Sequence, residues 1–302
     1  MLDLLIKNGT IVDGTGSGPY CGHVGIQHDK LAGPWRENPP PAGRVLDATG
    51  KVLVPGFIDV HSHADLIHPL PQPQRRDLIA GRLAQGITTE IIGNCGLGAC
   101  PAFGPARQIL PRLNAWMTPP GCVWNWSSAP TYLEAVEAAP LACNVGMLAP
   151  HGPLRASVMG MKSGEPDAGQ LAAMKSWLEE SLDAGAFGLS TGLIYPPGMF
   201  SSTEELKALA WIAGRRGRIY TSHIRGSSET LLESVEELLE VGRDANVAVH
   251  HSHSEAVGRD HWWKVERVLE REERASRAGI AVSFDMFPYP AAATMMSALY
   301  PP

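Results

Sequence analysis

At 302 residues, 44% of them apolar, the chain is long enough to bury one large core with a small companion. Charged residues make up 19% and the net charge is -6, with Lys and Arg scattered, which excludes the basic surface of a nucleic-acid or anionic-membrane binder and leaves a small soluble ligand. Five cysteines at irregular spacing exclude a disulfide framework and a paired zinc ribbon; with neither a membrane-length apolar stretch nor a leader-like N-terminus, a cytoplasmic protein is expected.

The first 56 residues read as short strands. "DLLIKNGTIVDG" alternates around Asn8-Gly9, a hairpin-turn dipeptide, and "RVLDATGKVLVPG" has the same texture, which predicts a small β-layer. Between them "LAGPWRENPPPAGR" reads as a Pro-rich loop. From Phe57 seven apolar runs follow: "GFIDVHSH", "ITTEIIGNC", "NVGMLAPHG", "AFGLSTGL", "RIYTSHIR", "VAVHHSHS" and "IAVSFDMFPY". Helical patterns separate them. Leu171, Met174, Trp177, Leu178 and Leu182 form one helix face after Asp167, closed by Gly185; Ser202 and Glu205 make a capping-box pattern for the next, and "SSETLLESVEELLEVG" supplies another.

This alternation, with continuously apolar strands, predicts an α/β fold with a parallel sheet covered on both faces. Polar residues gather at the C-terminal ends of the runs: His61 and His63, Cys95, His151, Ser190 and Thr191, His223 and Arg225, His253, and Asp285. That edge carries the active site of a (β/α)8 TIM-type barrel. An open doubly wound sheet uses a switch point instead, and no run is followed by its Gly-rich phosphate loop. The expectation is a barrel over 57–302 with seven of its strands identified.

His61 and His63, two apart along a strand, share a face and can reach one ion. Alone, such a pair reads equally well as two hydrogen-bonded histidines. Cys95, His223 and His253 add weight, because each ends a different run and a barrel brings those ends around one rim. A thiolate with imidazoles suits zinc. Cys95 lies in "GNCG", whose glycines let the backbone turn and face the sulfur to the rim, where it can bridge two ions. In "VAVHHSHS" alternation puts His251 and His253 on one face and His250 on the other; His253, furthest along, is taken as the ligand. His151 is open between a substrate-orienting role and a core hydrogen bond, and Asp65 and Arg225 between substrate contacts and solvated loop charges.

"PGFIDVHSHAD" resembles the opening metal motif of the amidohydrolase superfamily. "GNCG", "WNW", "NVGMLAPHGPLR", "GAFGLSTGLIYPPGMFSSTEEL", "YTSHIR", "SHSEAVG" and "DMFPYPAAAT", in that order over essentially the whole chain, resemble the N-acyl-D-amino-acid deacylases, or D-aminoacylases. The resemblance implies a metal-dependent hydrolase barrel with a small β-sandwich built from both chain ends, residues 1–56 giving its N-terminal part. It implies zinc-dependent hydrolysis of a small-molecule N-acyl-D-amino acid to a carboxylate and a free D-amino acid. On the matching positions, Cys95, His223 and His253 would hold the tighter zinc, and His61 and His63, with Cys95 bridging and an aspartate, the weaker one. Tyr289 matches a substrate contact. Zinc acidifies a water and polarises the acyl carbonyl, and in the family an aspartate after the eighth strand carries the proton to the leaving amine. No lysine stands at the fourth run's end, "FGLSTGL", so a hydantoinase-like or dihydroorotase-like site built on a carboxylated lysine fits less well.

The chain departs from the family pattern in three places. It stops at "TMMSALYPP", so the eighth strand, its general-base aspartate, a carboxylate-binding arginine and the C-terminal half of the sandwich have no counterpart, and no residue is assigned as catalytic. Glu255 stands where the family has a substrate-holding lysine, and "GSS" at Gly226 to Ser228 replaces a glutamate. Two alternatives therefore stand beside the deacylase reading: a truncated remnant that binds zinc without turnover, and an amidohydrolase for another acylated amine. An open barrel also leaves unpaired edges on its first and seventh strands, which favours self-association or a separately supplied C-terminal fragment.

Overall fold

In the computed structural model, which describes residues 1–138 and 140–299, the chain divides into two compact units, Met1–Phe57 and Ile58–Pro302. The first strand of the first unit, β1 (Leu2–Ile11), buries Leu2, Leu5 and Ile11. It runs unbroken through Asn8-Gly9, so this dipeptide makes a bulge against β2 (Tyr20–Gln27), with the register shifting between Ile6 and Gly9, in place of the expected hairpin turn. Asn8 takes the left-handed φ of 61° and donates its side-chain amide to Asp47 Oδ1 at 3.0 Å. The antiparallel turn comes later, between β2 and β3 (Lys30–Trp35), and β3 occupies the first part of the segment read as a Pro-rich loop. β4 (Ala42–Asp47) and β5 (Val52–Leu53) both pair parallel to β1.

The second unit alternates strand and helix. β6 (Phe57–Asp59), α1 (Gln74–Ala84) and β7 (Ile87–Ile92) come first, then α2 (Ala106–Leu113) and α3 (Ala129–Glu137) before β8 (Asn144–Met147) and β9 (Ala149–Pro150). There follow α4 (His151–Met159), α5 (Ala168–Asp183), β10 (Gly188–Gly192), α6 (Thr203–Arg215), β11 (Ile219–His223), α7 (Leu231–Asp244), β12 (Ala248–His251), α8 (Lys264–Arg277) and β13 (Val282–Phe284). The strands neighbour one another in chain order, β6-β7-β8 and then β9-β10-β11-β12-β13. Pairing is parallel at every junction from β9 onward and between β7 and β8. The third apolar run supplies both β8 and β9, split at Leu148, whose N–H donates to Ile92 O at 2.9 Å.

Local signals set the helix starts. Asp167 accepts from Gln170 N at 2.8 Å while the Gln170 side chain returns to Asp167 N at 2.9 Å, and Gly185 at φ 106° ends the α5 segment. At α6 only half of the expected capping box forms. Ser202 Oγ accepts from Glu205 N at 3.3 Å, but the Glu205 carboxylate turns inward to His151 and Arg155. Leu178, Leu189, Leu206, Leu209 and Ala210 fill the layer between helices and strands. β10 is buried throughout, as a strand covered on both faces must be. β6 and β13 differ: Ile58 is 62% exposed and Phe284 46%. No helix among the described residues is long and apolar enough to cross a membrane.

Candidate metal centre

Each donor owes its place to a backbone feature at a strand end. His61 and His63 follow β6, and His61 N donates to Asp59 Oδ1 at 3.1 Å. Cys95 sits in the left-handed region at φ 55°, just after Gly93 at φ 76° and before Gly96 at φ 61°. The loop is fastened from β10. Ser190 Oγ donates to Gly93 O and accepts from Gly96 N at 3.1 Å, and a Cβ on Gly192 would overlap the Cys95 carbonyl. His223 is the last residue of β11. His253 lies two residues beyond β12, also left-handed at φ 42°, and this breaks the alternation expected for the histidine cluster. His251 points at α8, with Nδ1 2.7 Å from Glu272 Oε1, while His253 turns to Cys95.

The Cys95 sulfur stands 3.2 Å from His61 Nε2 and 3.7 Å from His253 Nε2, and the three donor atoms lie within 4.8 Å of one another. The His223 ring is 4.2 Å from that of His253, and the His63 ring 5.5 Å from that of His61. All five implied ligands are thus neighbours, but the tight trio draws His61 from one expected position and His253 from the other. Burial pushes His63 down to about 3, His253 to about 4 and His223 well below its ordinary value, which leaves these rings uncharged. Burial also acts to lower His61, but the Asp285 carboxylate and the Cys95 sulfur outweigh it and raise the ring to about 10. A metal must displace a proton there. Buried Nδ1 atoms of His63, His223 and His253 have no hydrogen-bond partner. A sulfur beside four imidazoles, three of them neutral and with buried nitrogens unsatisfied, fits a borderline-soft divalent ion.

The remaining sequence-predicted residues separate into scaffold and rim. Asp65, 2% exposed and raised to about 7 chiefly by burial, accepts from Gly93 N at 2.9 Å and so supports the cysteine loop from beneath. His151 is buried with Nε2 2.7 Å from Glu205 Oε1, and Arg155 pairs with the same carboxylate. Arg225 is neither a solvated loop charge nor free for a ligand: it binds Glu237 Oε2 at 2.8 Å, Met199 O at 3.0 Å and Ser201 O at 2.6 Å. Glu255 faces the centre, 3.8 Å from His253 Nδ1, and burial raises its carboxyl. Tyr289 is 69% exposed, its ring 6.3 Å from that of Phe287.

Asp285, placed by the sequence at a strand end and given no role in the site, joins the centre. Asp285 accepts from His61 Nδ1 and His250 Nε2, each at 2.8 Å, and from His253 N at 2.5 Å. Its position directly after a strand neighbouring the histidine-rich one was the available signal. A second set of three metal-type side chains, His68, Glu90 and Cys143, is buried away from this centre. There Glu90 is already paired, with His68 and with Arg82, at 2.9 Å each, which marks an ion-paired brace.

Residues 44–215 match the model of the amidohydrolase family. The chain is 35% identical over 295 residues to an N-acyl-D-glutamate deacylase of Alcaligenes xylosoxydans xylosoxydans, covering 98% of this chain and 58% of that protein. It superimposes with a TM-score of 0.87 and 36% identity on the N-acyl-D-glutamate deacylase of Bordetella bronchiseptica, solved with zinc and a phosphonate mimic of the tetrahedral intermediate, over 96% of this chain and 59% of that one. A D-aminoacylase structure described by its binuclear metal centre, with one-metal activation and second-metal attenuation, gives a TM-score of 0.86 at 32% identity over the same shares. The chain therefore spans somewhat under two thirds of the length of these relatives.

Proposed function

The chain belongs to the amidohydrolase family, on its D-aminoacylase branch, and from that membership we propose that it is the metal-binding part of a zinc-dependent hydrolase of N-acyl-D-amino acids. The observation that carries this reading is the position of the Cys95 sulfur, within 3.7 Å of two imidazole nitrogens and flanked by two more buried neutral rings. Cys95, His61, His63, His223 and His253 would hold the metal. When bound, zinc supplies Lewis acidity, acidifying water and polarising an acyl carbonyl. The protein's own part is to keep the His63, His223 and His253 rings uncharged, to fix the sulfur through the Ser190 and Asp65 contacts, and to present Glu255 and Tyr289 on the substrate side. Glu255 opposes a substrate carboxylate placed beside it, which favours a D-amino acid or other acylated amine without one there.

We place the proton-transferring carboxylate on an eighth strand between β13 and β6, supported by the exposure of both; of the acids near Cys95 among the described residues, Glu255 faces the centre from the position where the family has a lysine. Asp285 and Asp65 are each held by hydrogen bonds already given. The exposure of the two strands favours a second reading for this chain alone: it binds metal without turnover, and completes its wall by self-association or with a separate segment. The full chain is to be loaded with zinc and assayed with N-acetyl-D-methionine and N-acetyl-D-glutamate beside a metal-free control. About one tightly held zinc and no hydrolysis supports the second reading. Turnover that disappears in Cys95→Ala establishes the first, and failure to retain any metal removes both.

A further inference from the structure

Asp285 ties together more of the centre than any ligand does. Its Oδ2 accepts from two rings, His61 Nδ1 and His250 Nε2, and its Oδ1 from the backbone of His253. Its main chain is engaged as well: Asp285 N donates to His251 O at 3.2 Å and Ser254 N donates to Asp285 O at 2.8 Å. His250 is steadied at its other nitrogen by Ser283 Oγ at 2.8 Å, its register partner on β13. The result is a chain of contacts from Ser283 through His250 and Asp285 to His61, whose Nε2 faces Cys95.

A carboxylate only accepts, so each ring nitrogen touching it must carry the proton. For His61 this fixes Nδ1–H, so the proton a metal would displace is the one on Nε2, the nitrogen that faces Cys95. The bond to His253 N holds the backbone where that residue sits at φ 42°, a conformation a non-glycine residue adopts only when held.

We infer that Asp285 is a positioning residue for the metal centre, selecting the His61 tautomer and fixing the left-handed turn that aims His253. The inference rests on the reading that Cys95, His61 and His253 hold a metal. It names a role for a residue outside the expected ligand set. A purely structural alternative is that Asp285 staples β13 to β12, and the two differ in what an isosteric amide does. In Asp285→Asn the oxygen can still accept from His253 N. The NH2 group then faces His61 and His250 and demands an acceptor, which moves the His61 proton to Nε2 and removes that donor.

The test is a cobalt(II) titration of the metal-free full chain and of Asp285→Asn, reading thiolate-to-cobalt charge transfer and the ligand-field bands, with thermal melts of both metal-free proteins. Loss of an outer partner of a metal-bound histidine weakens affinity about 10- to 100-fold, and that is the expected loss in Asp285→Asn, with altered ligand-field bands. Unchanged affinity and bands in Asp285→Asn, whatever its melting point, overturn the inference and leave the staple. If the native chain takes up no cobalt, the metal reading falls and the inference with it, a result distinct from the first because it appears without any substitution. Should Asp285→Asn not fold, the native chain answers alone: imidazole nitrogen chemical shifts of the zinc-loaded protein must show His61 protonated at Nδ1, and an unprotonated Nδ1 overturns the inference.

Discussion

The Cys95 backbone is held from its neighbours. Its carbonyl lies so close to Gly192 on β10 that any side chain there must push the loop away. Gly192→Ala is expected to destabilise the protein by about 1–3 kcal/mol, the usual cost of overpacking, and to lower zinc retention in the same variant. Denaturant unfolding and metal analysis after dialysis check the two effects. Glu205 offers a second test, far from Cys95 in role. Burial alone would raise its carboxyl, but His151 and Arg155 more than offset this and lower it below the ordinary 4.5. A group depressed in the folded state adds stability that is complete above its unfolded value and lost as pH falls through the folded one. Acid unfolding below about pH 4.5 should therefore be shallower in Glu205→Gln, read from melts across pH. At neutral pH the same variant leaves Arg155 buried without its anion, and a loss of about 3–5 kcal/mol is expected.

Among the elements, α5 shows a signal working as read: Asp167 and Gln170 cap each other, and Asp167→Ala should cost about 1 kcal/mol in a denaturant titration. The strand runs and the gathering of Cys95, His61, His223 and His253 were likewise legible, because apolar continuity and polar strand ends follow directly from the order of residue types. What was not legible has physical causes. Asn8-Gly9 signals positive φ, which a bulge satisfies as well as a hairpin turn, and only the pairing partner decides. Period-two alternation holds only while the chain is a strand. β12 ends at His251, so the inward residues are His250 and, after a left-handed turn, His253. Glu205 carries the capping-box pattern, yet a buried arginine competes for its carboxylate and wins. Arg225, placed at the rim by sequence position, is drawn to Glu237, 12 positions on in α7.

At the scale of the molecule, β6 and β13 leave apolar side chains in solvent, Met286 being 71% exposed just past β13. Sedimentation should therefore show association that grows with concentration, and Ile58→Lys on β6 should reduce it. The three clustered donors come from distant parts of the chain, His61 and Cys95 being 34 positions apart and Cys95 and His253 158. Closing loops of that length is entropically unfavourable until the intervening strands have paired, so the donors meet late in folding. Metal contacts absent from the transition state act on unfolding and leave refolding untouched. Stopped-flow measurements with zinc and with a chelator should then give equal refolding rates and a slower unfolding rate with zinc. The ion at Cys95 would act as a latch, prolonging the lifetime of a fold it does nothing to start.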